Sequence, residues 1–184
     1  MAARYFSSAP ISTSTVTLDG PEAHHLLHVM RAARGDDVVL FDGSGAEFDA
    51  RITHTGRSDV QLEVVARRDV DRENRIALTL GVALPKGDRQ KWLVEKATEL
   101  GVARLVPLAT RRSVAQPERS ALDKLRRAVI EASKQCGRNR LMAIEPAASL
   151  EAFAAAAEEP ALRLIAHPVG RTVKEILALG GSAH

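Results

Sequence analysis

The first 70 or so positions alternate between apolar and polar residues with a period of two, the spacing of half-buried strands. VVLFDGSGAEFDARI (38–52) reads as strand, turn, strand, with Asp42-Gly43 and Gly45 supplying the turn. VQLEVVAR (60–67) is a further strand after the Gly56 break. One helix precedes these, opened by Pro21 and stopped by Gly35, with Leu26, Val29, Met30 and Ala33 as its apolar stripe. A small β-rich unit with a helix packed on it follows from this pattern.

RDVDREN (68–74) carries no apolar residue except Val70 and reads as a linker. Beyond it the period changes. IALTLGVAL (76–84) is a near-continuous apolar strand, the kind buried on both faces of a parallel sheet. A helix at about 88–100 ends at Gly101, and RLVPLAT (104–110) is the next strand. A long helix covers about 118–136, with Leu122, Leu125, Val129, Ala132 and Cys136 as its buried stripe. A short helix (149–157), the strand LRLIAH (162–167) and a helical segment (171–178) complete the alternation, which predicts an α/β unit with right-handed crossovers. Trp92 is expected in the core or at a domain interface.

Composition narrows the class. Apolar residues make up 45% of the 184, enough for a real core, but aromatics only 3%. A single cysteine excludes a disulfide framework and a multi-cysteine zinc site. No apolar run reaches membrane-spanning length, and MAARYFSSAPIS lacks the apolar centre of a signal peptide, so the expectation is a soluble cytoplasmic protein. Charge is unevenly spread. Residues 1–74 hold 8 Lys+Arg against 12 Asp+Glu, whereas residues 86–140 hold 14 against 6. Such a basic stretch is either a solvated pair of helix faces or a binder of polyanions.

Three clusters could carry chemistry. In EASKQCGRNR (131–140), Arg127, Glu131, Gln135 and Arg138 share a helical face of their own, ahead of a glycine stop. Arg138 and Arg140 then either cap helix carbonyls or, with Gln135, hold a phosphate and the edge of a base. In ALPKGDRQKW (83–92), Lys86, Arg89 and Lys91 crowd a helix N-terminus, where cations are disfavoured unless an anion sits there; the other reading leaves them in water. HHLLHVMR (24–31) puts His24, His28 and Arg31 on one face; no third ligand is evident, so contact with RNA backbone or a domain interface is preferred to metal. No Ser-His-Asp, paired-carboxylate or Cys-His set stands out. That suits a group transfer in which the substrate is the nucleophile and the protein positions two reactants.

Taken together, HHLLHVMR, VVLFDGSGAEFDARI, ALPKGDRQKWLVEKATELGV, PLATRRSV and EASKQCGRNR resemble the ribosomal RNA small-subunit methyltransferase E family, most specifically in KATELGV (96–102) and QCGR (135–138). The resemblance implies S-adenosylmethionine-dependent methylation of N3 of a uridine in 16S ribosomal RNA. It implies an N-terminal PUA-like β-barrel over residues 1–72 that helps hold RNA, a SPOUT-type α/β domain over 75–184, and a homodimer with no metal and no membrane. It places His25, Arg31, Lys86, Arg89, Lys91, Arg112 and Arg138 on RNA, with Arg138 and Gln135 positioning the substrate; Glu131, Lys96 and Glu99 match other positions beside the cleft. The family's GPEGG-type loop and its later LG…RILRxETA-like pattern have no counterpart in these 184 residues. The expectation is therefore an incomplete trefoil knot, a donor site reduced to the strand end at His167 and Pro168, and, as the alternative to catalysis, a non-catalytic RNA-binding fragment.

Overall fold

The computed structural model describes residues 3–111, 119–156, 162–172 and 174–176. The period-two stretch builds one five-stranded sheet from β1 (Arg4–Phe6), β2 (Thr15–Leu18), β3 (Asp37–Phe41), β4 (Ala46–Thr55) and β5 (Val60–Asp69), in the order β1-β3-β4-β5-β2. Every pairing is antiparallel except β1 with β3. Ala46, Phe48, Ala50 and Ile52 alternate inward along β4 and meet Tyr5, Leu40, Val60 and Leu62 in one core, around which the sheet curls. β1 and β2 are its two edges.

The helix before β3 departs from the expected one. Regular α1 covers only Gly20–His24 and gives way to a π-helical turn over His25–Val29. A wider turn advances the apolar phase, so Ala23 and Leu26 stay buried while Val29 and Met30, expected on the stripe, face solvent. Arg31 follows with φ +53°, the one non-glycine residue in the left-handed region among the described residues.

The second sheet is parallel, as expected, but its first strand is not buried on both faces: Ile76 and Leu78 are exposed and residues 79–82 only half-buried, because the described helices cover one side of it. β6 (Leu78–Val82), β7 (Val102–Ala109) and β8 (Ala143–Ile144) lie in that order, and β9 (Ala148–Ser149) continues along β7 beyond β8. Helices α2 (Arg89–Glu99), α3 (Arg119–Cys136) and α4 (Leu150–Ala155) connect or follow the strands. Leu122, Leu125, Ala128 and Val129 of α3 pack toward this sheet with Val94 and Ala97 of α2, and Ala132 is buried beyond that cluster. Cys136 does not join them; it lies exposed in the final turn. Trp92 is likewise 62% exposed, because α2 turns Val94, Ala97 and Thr98 inward and leaves its other side to solvent. α4 starts at Ser149, whose side chain accepts from the Ala152 amide at 3.1 Å, and its Phe153 ring lies against the backbone of Gly81.

LRLIAH (162–167), expected as a strand, is exposed and does not form one; an apolar run becomes a strand only within a ladder beside a neighbouring edge. In the segment expected as helix over 171–178, residues 174–176 are helical, and 173, 177 and 178 lie outside the described residues.

Candidate nucleic-acid interface

Because the second sheet is parallel, it has two chemically different edges. β6 runs into the loop carrying Lys86, so residues 83–91 stand at the carboxyl edge, and β7 ends there at Ala109, followed by Thr110 and Arg111. Helices α2 and α3 carry the chain back, so Gly101 and the segment 137–140 stand at the amino edge. α2 advances about 1.5 Å per residue, which separates Arg89 from Thr98 by about 14 Å along its axis. The residues expected to meet RNA therefore divide: the cations Lys86, Arg89 and Lys91 at one edge, Arg138 and the neutral Gln135 at the other.

At the amino edge, Gly137 adopts φ +82° and turns the chain out of α3. Helical spacing stops there, so Arg138 does not continue the Arg127–Glu131–Gln135 face, which is exposed; it turns inward and is 4% exposed. Its Nη1 donates to the carbonyls of Thr98 (3.1 Å) and Val102 (3.0 Å), the end of α2 and the start of β7. Its Nε donates to Glu73 Oε1 at 3.1 Å and its Nη2 to Glu73 Oε2. With four N–H groups engaged inside the protein, this guanidinium acts as a carbonyl cap and ion-pair partner rather than as a hand held out to phosphate. The carbonyls it caps belong to α2 and β7, not to its own helix. Arg140, the other expected cap, is exposed; its backbone bridges to Ser44 of the first sheet.

Glu47 is the counterpart on the first sheet. Period two points it away from that sheet's core, yet it is 2% exposed because segment 137–140 and the linker cover it. Arg4 and Arg72 each donate to its Oε2 at 2.8 Å, and Arg68 lies 3.2 Å from Oε1. The Arg72 hydrogen bond, ahead of Arg4 and against the cost of burial, holds the carboxyl at about 2, well below its ordinary 4.5. Arg4 also donates to Asn139 Oδ1 at 2.6 Å, while Asn139 Nδ2 donates to the Val70 carbonyl at 3.2 Å and Arg72 to the Gly137 carbonyl at 3.1 Å. Asn74 donates to the Leu100 carbonyl at 2.9 Å and fills the space that a side chain on Gly101 would need. Lys134 donates to Glu22 Oε1 at 3.0 Å, and its ammonium lies over the Tyr5 ring. A polar cleft of about 220 Å³ opens here between Arg67, Asp69, Asp71, Arg72, Glu73 and Arg140; three guanidiniums face three carboxylates along its wall, so its charge does not favour an anion.

The remaining expected residues are distributed as follows. His25 is half-buried, its ring 5.9 Å from Tyr5 and its Nδ1 buried without a hydrogen-bond partner among the described residues, whereas the exposed rings of His24 and His28 lie tilted against each other at 4.7 Å. Arg31, Lys86, Arg89 and Gln135 are exposed, and the three cations among them make no ion pair within the described residues. Lys91 faces Glu95 at 3.6 Å, and Lys96 pairs with Glu99 at 2.7 Å. Arg112 lies outside the described residues. Arg111, its neighbour, is exposed at the carboxyl edge, where open parallel sheets bind their ligands; the adjacent Arg-Arg pair was the available signal. Glu47, Glu73, Arg4, Arg72 and Asn139 escaped the sequence reading. Glu47 shares the outward positions of its strand with Asp49 and Arg51, so nothing in the sequence set it apart.

His167 and Pro168 are exposed, and the Val169 amide donates to His167 Nδ1 at 3.3 Å. Every described residue of 162–172 is exposed, so this stretch builds no cradle that could enclose a nucleoside and sulfonium. The groups present at the carboxyl edge can do something simpler. Unpaired Lys86 and Arg89 beside a helix N-terminus offer fixed positive charge to an anionic ligand.

Two family models match the chain. A model of the RNA methyltransferase domain matches residues 72–181, and one of the RNA methyltransferase PUA domain matches 18–65. The chain is 33% identical over 132 residues to the ribosomal RNA small subunit methyltransferase E of a Synechocystis strain, covering 71% of this chain and 43% of that protein. The Bacillus subtilis protein of that name is 30% identical, with 69% and 51% covered. The chain thus spans about half the length of the curated relatives it matches. A methyltransferase from Legionella pneumophila, solved with bound S-adenosylmethionine, superposes with a TM-score of 0.86 at 28% identity, covering 95% of this chain and 74% of that one. A Neisseria gonorrhoeae ribosomal RNA small subunit methyltransferase E bound to S-adenosylmethionine gives 0.79 at 26% identity, with 86% and 67% covered.

Proposed function

The chain belongs to the RNA methyltransferase family, and on that premise we propose that it methylates N3 of a uridine in 16S ribosomal RNA, with S-adenosylmethionine as donor. The observation that carries the reading is the superposition of 95% of this chain on a methyltransferase solved with that donor. The donor supplies an electrophilic methyl group. This chain's own part is electrostatic and positional. Uracil N3–H is weakly acidic, and its loss spreads charge over O2 and O4. Lys86 and Arg89, with Arg111, are exposed cations that we read as stabilising that charge or a flanking phosphate. His25 and Arg31 belong to the half matched by the PUA model and are read as RNA contacts, Arg31 direct and His25 through its support of the surface. Arg112 and Gln135 keep the roles that the resemblance gives them, His167 and Pro168 are read as an open edge of the donor site rather than its cradle, and Lys91 supplements the basic edge. Arg138 keeps a role in substrate positioning, exercised through the geometry of the halves. A cytoplasmic homodimer is the assembly we infer.

The test is calorimetry with S-adenosylmethionine followed by transfer of labelled methyl groups to 16S ribosomal RNA. Donor binding and labelled uridine are expected. RNA binding that weakens steeply with salt, without donor heat or methyl transfer, would instead identify a non-catalytic RNA-binding fragment.

A further inference from the structure

The two hydrophobic cores do not merge. One gathers residues between Ala3 and Val64, the other residues between Leu80 and Ile144. What joins them at the linker is polar. Glu73, Arg72 and Val70 of the linker, Arg4 and Glu47 of the first sheet, and Gly137, Arg138 and Asn139 of the turn after α3 are cross-linked by hydrogen bonds. Burying such groups contributes little net adhesion, since desolvation offsets much of the attraction. It does contribute direction, because a two-pronged guanidinium–carboxylate contact weakens steeply once its angles change. Arg138 fixes Glu73 of the linker to two carbonyls of rigid elements at once, and Asn139 fixes Arg4 to Val70.

We propose that linker 70–74 and turn 137–140 form a fixed-angle joint, with Arg138 and Glu73 as positioning residues, that presents RNA held by the first sheet to the carboxyl edge of the second at one offset. The geometry is independent of the methyltransferase reading; the choice of RNA as ligand rests on it. A ligand touching both halves gains from their fixed spacing, whereas one touching a single half does not.

The experiment measures spin-label distances between Gln61→Cys and Lys124→Cys in a Cys136→Ser background, and RNA affinities in unlabelled protein. A narrow distance distribution is expected in the parent, broadened by Glu73→Ala and partly narrowed again by Glu73→Gln, which keeps one acceptor for the guanidinium. Should Glu73→Ala not fold, Asn139→Ala is measured in its place with the same expectation. Affinity for a folded 16S ribosomal RNA fragment should fall about 10-fold, while affinity for a short oligouridine stays within about 2-fold. An unchanged distance distribution overturns the joint. A broadened one with both affinities unchanged, or both equally reduced, overturns positioning. A parent that binds neither RNA removes the methyltransferase reading, while the distances still decide the joint.

Discussion

Replacing Glu47 by Gln keeps the shape of the side chain and removes its charge from among Arg4, Arg68 and Arg72. The native carboxyl sits at about 2 against an ordinary 4.5, with Arg72 as the largest cause. That gap corresponds to roughly 3 kcal/mol of folding stability at neutral pH. The sign follows from the direction of the shift. A carboxyl depressed in the folded state contributes fully above its unfolded value and loses the contribution as pH falls toward its folded one. Urea unfolding followed by circular dichroism should therefore find Glu47→Gln less stable than wild type by about 3 kcal/mol at pH 7, with the difference shrinking to less than half at pH 3. Subtracting the two proteins cancels carboxylates elsewhere that titrate in the same range. A difference below about 0.5 kcal/mol at pH 7, or one that does not shrink with acid, would refute the assignment of Glu47 as the charge at the centre of the cluster.

Two further outcomes test the packing. Leu105→Ala, at a fully buried position of β7, should cost about 2–5 kcal/mol in denaturant unfolding, since it empties the centre of the second core. Ser149→Ala removes the acceptor for the Ala152 amide and should cost about 1 kcal/mol, confined to α4 and visible as faster hydrogen exchange there with β7 unchanged.

Much of this fold was legible because burial imposes periodicity. The two-residue alternation of 38–67 and the unbroken apolar run of 76–84 each predict their sheet, and the stripe of Leu122, Leu125, Val129 and Ala132 predicts the inward face of α3. The failures have local physical causes. The expected stripe through Val29 and Met30 assumed 3.6 residues per turn where the chain widens into a π turn. Arg138 was assigned to an exposed face by counting through Gly137, which breaks the count. Cys136 and Trp92 show that an apolar residue is not obliged to be inside. The candidate site was harder to read, because the grouping of cations depends on which edge of a parallel sheet each reaches, and spacing along the chain says nothing of that. Lys86 and Arg138 are both basic, both next to a glycine, and at opposite edges. Glu47 became a buried charge only when another part of the molecule covered it.

Separate cores tied by a polar joint have a consequence for how the molecule comes into being. Each core draws on its own continuous stretch of chain, so the amino-terminal half can condense on a nascent polypeptide before the rest has emerged. The contacts between Arg4 and Asn139, 135 positions apart, close only after both partners exist, so the joint assembles late and is the place at which a defect in either half is felt by the other.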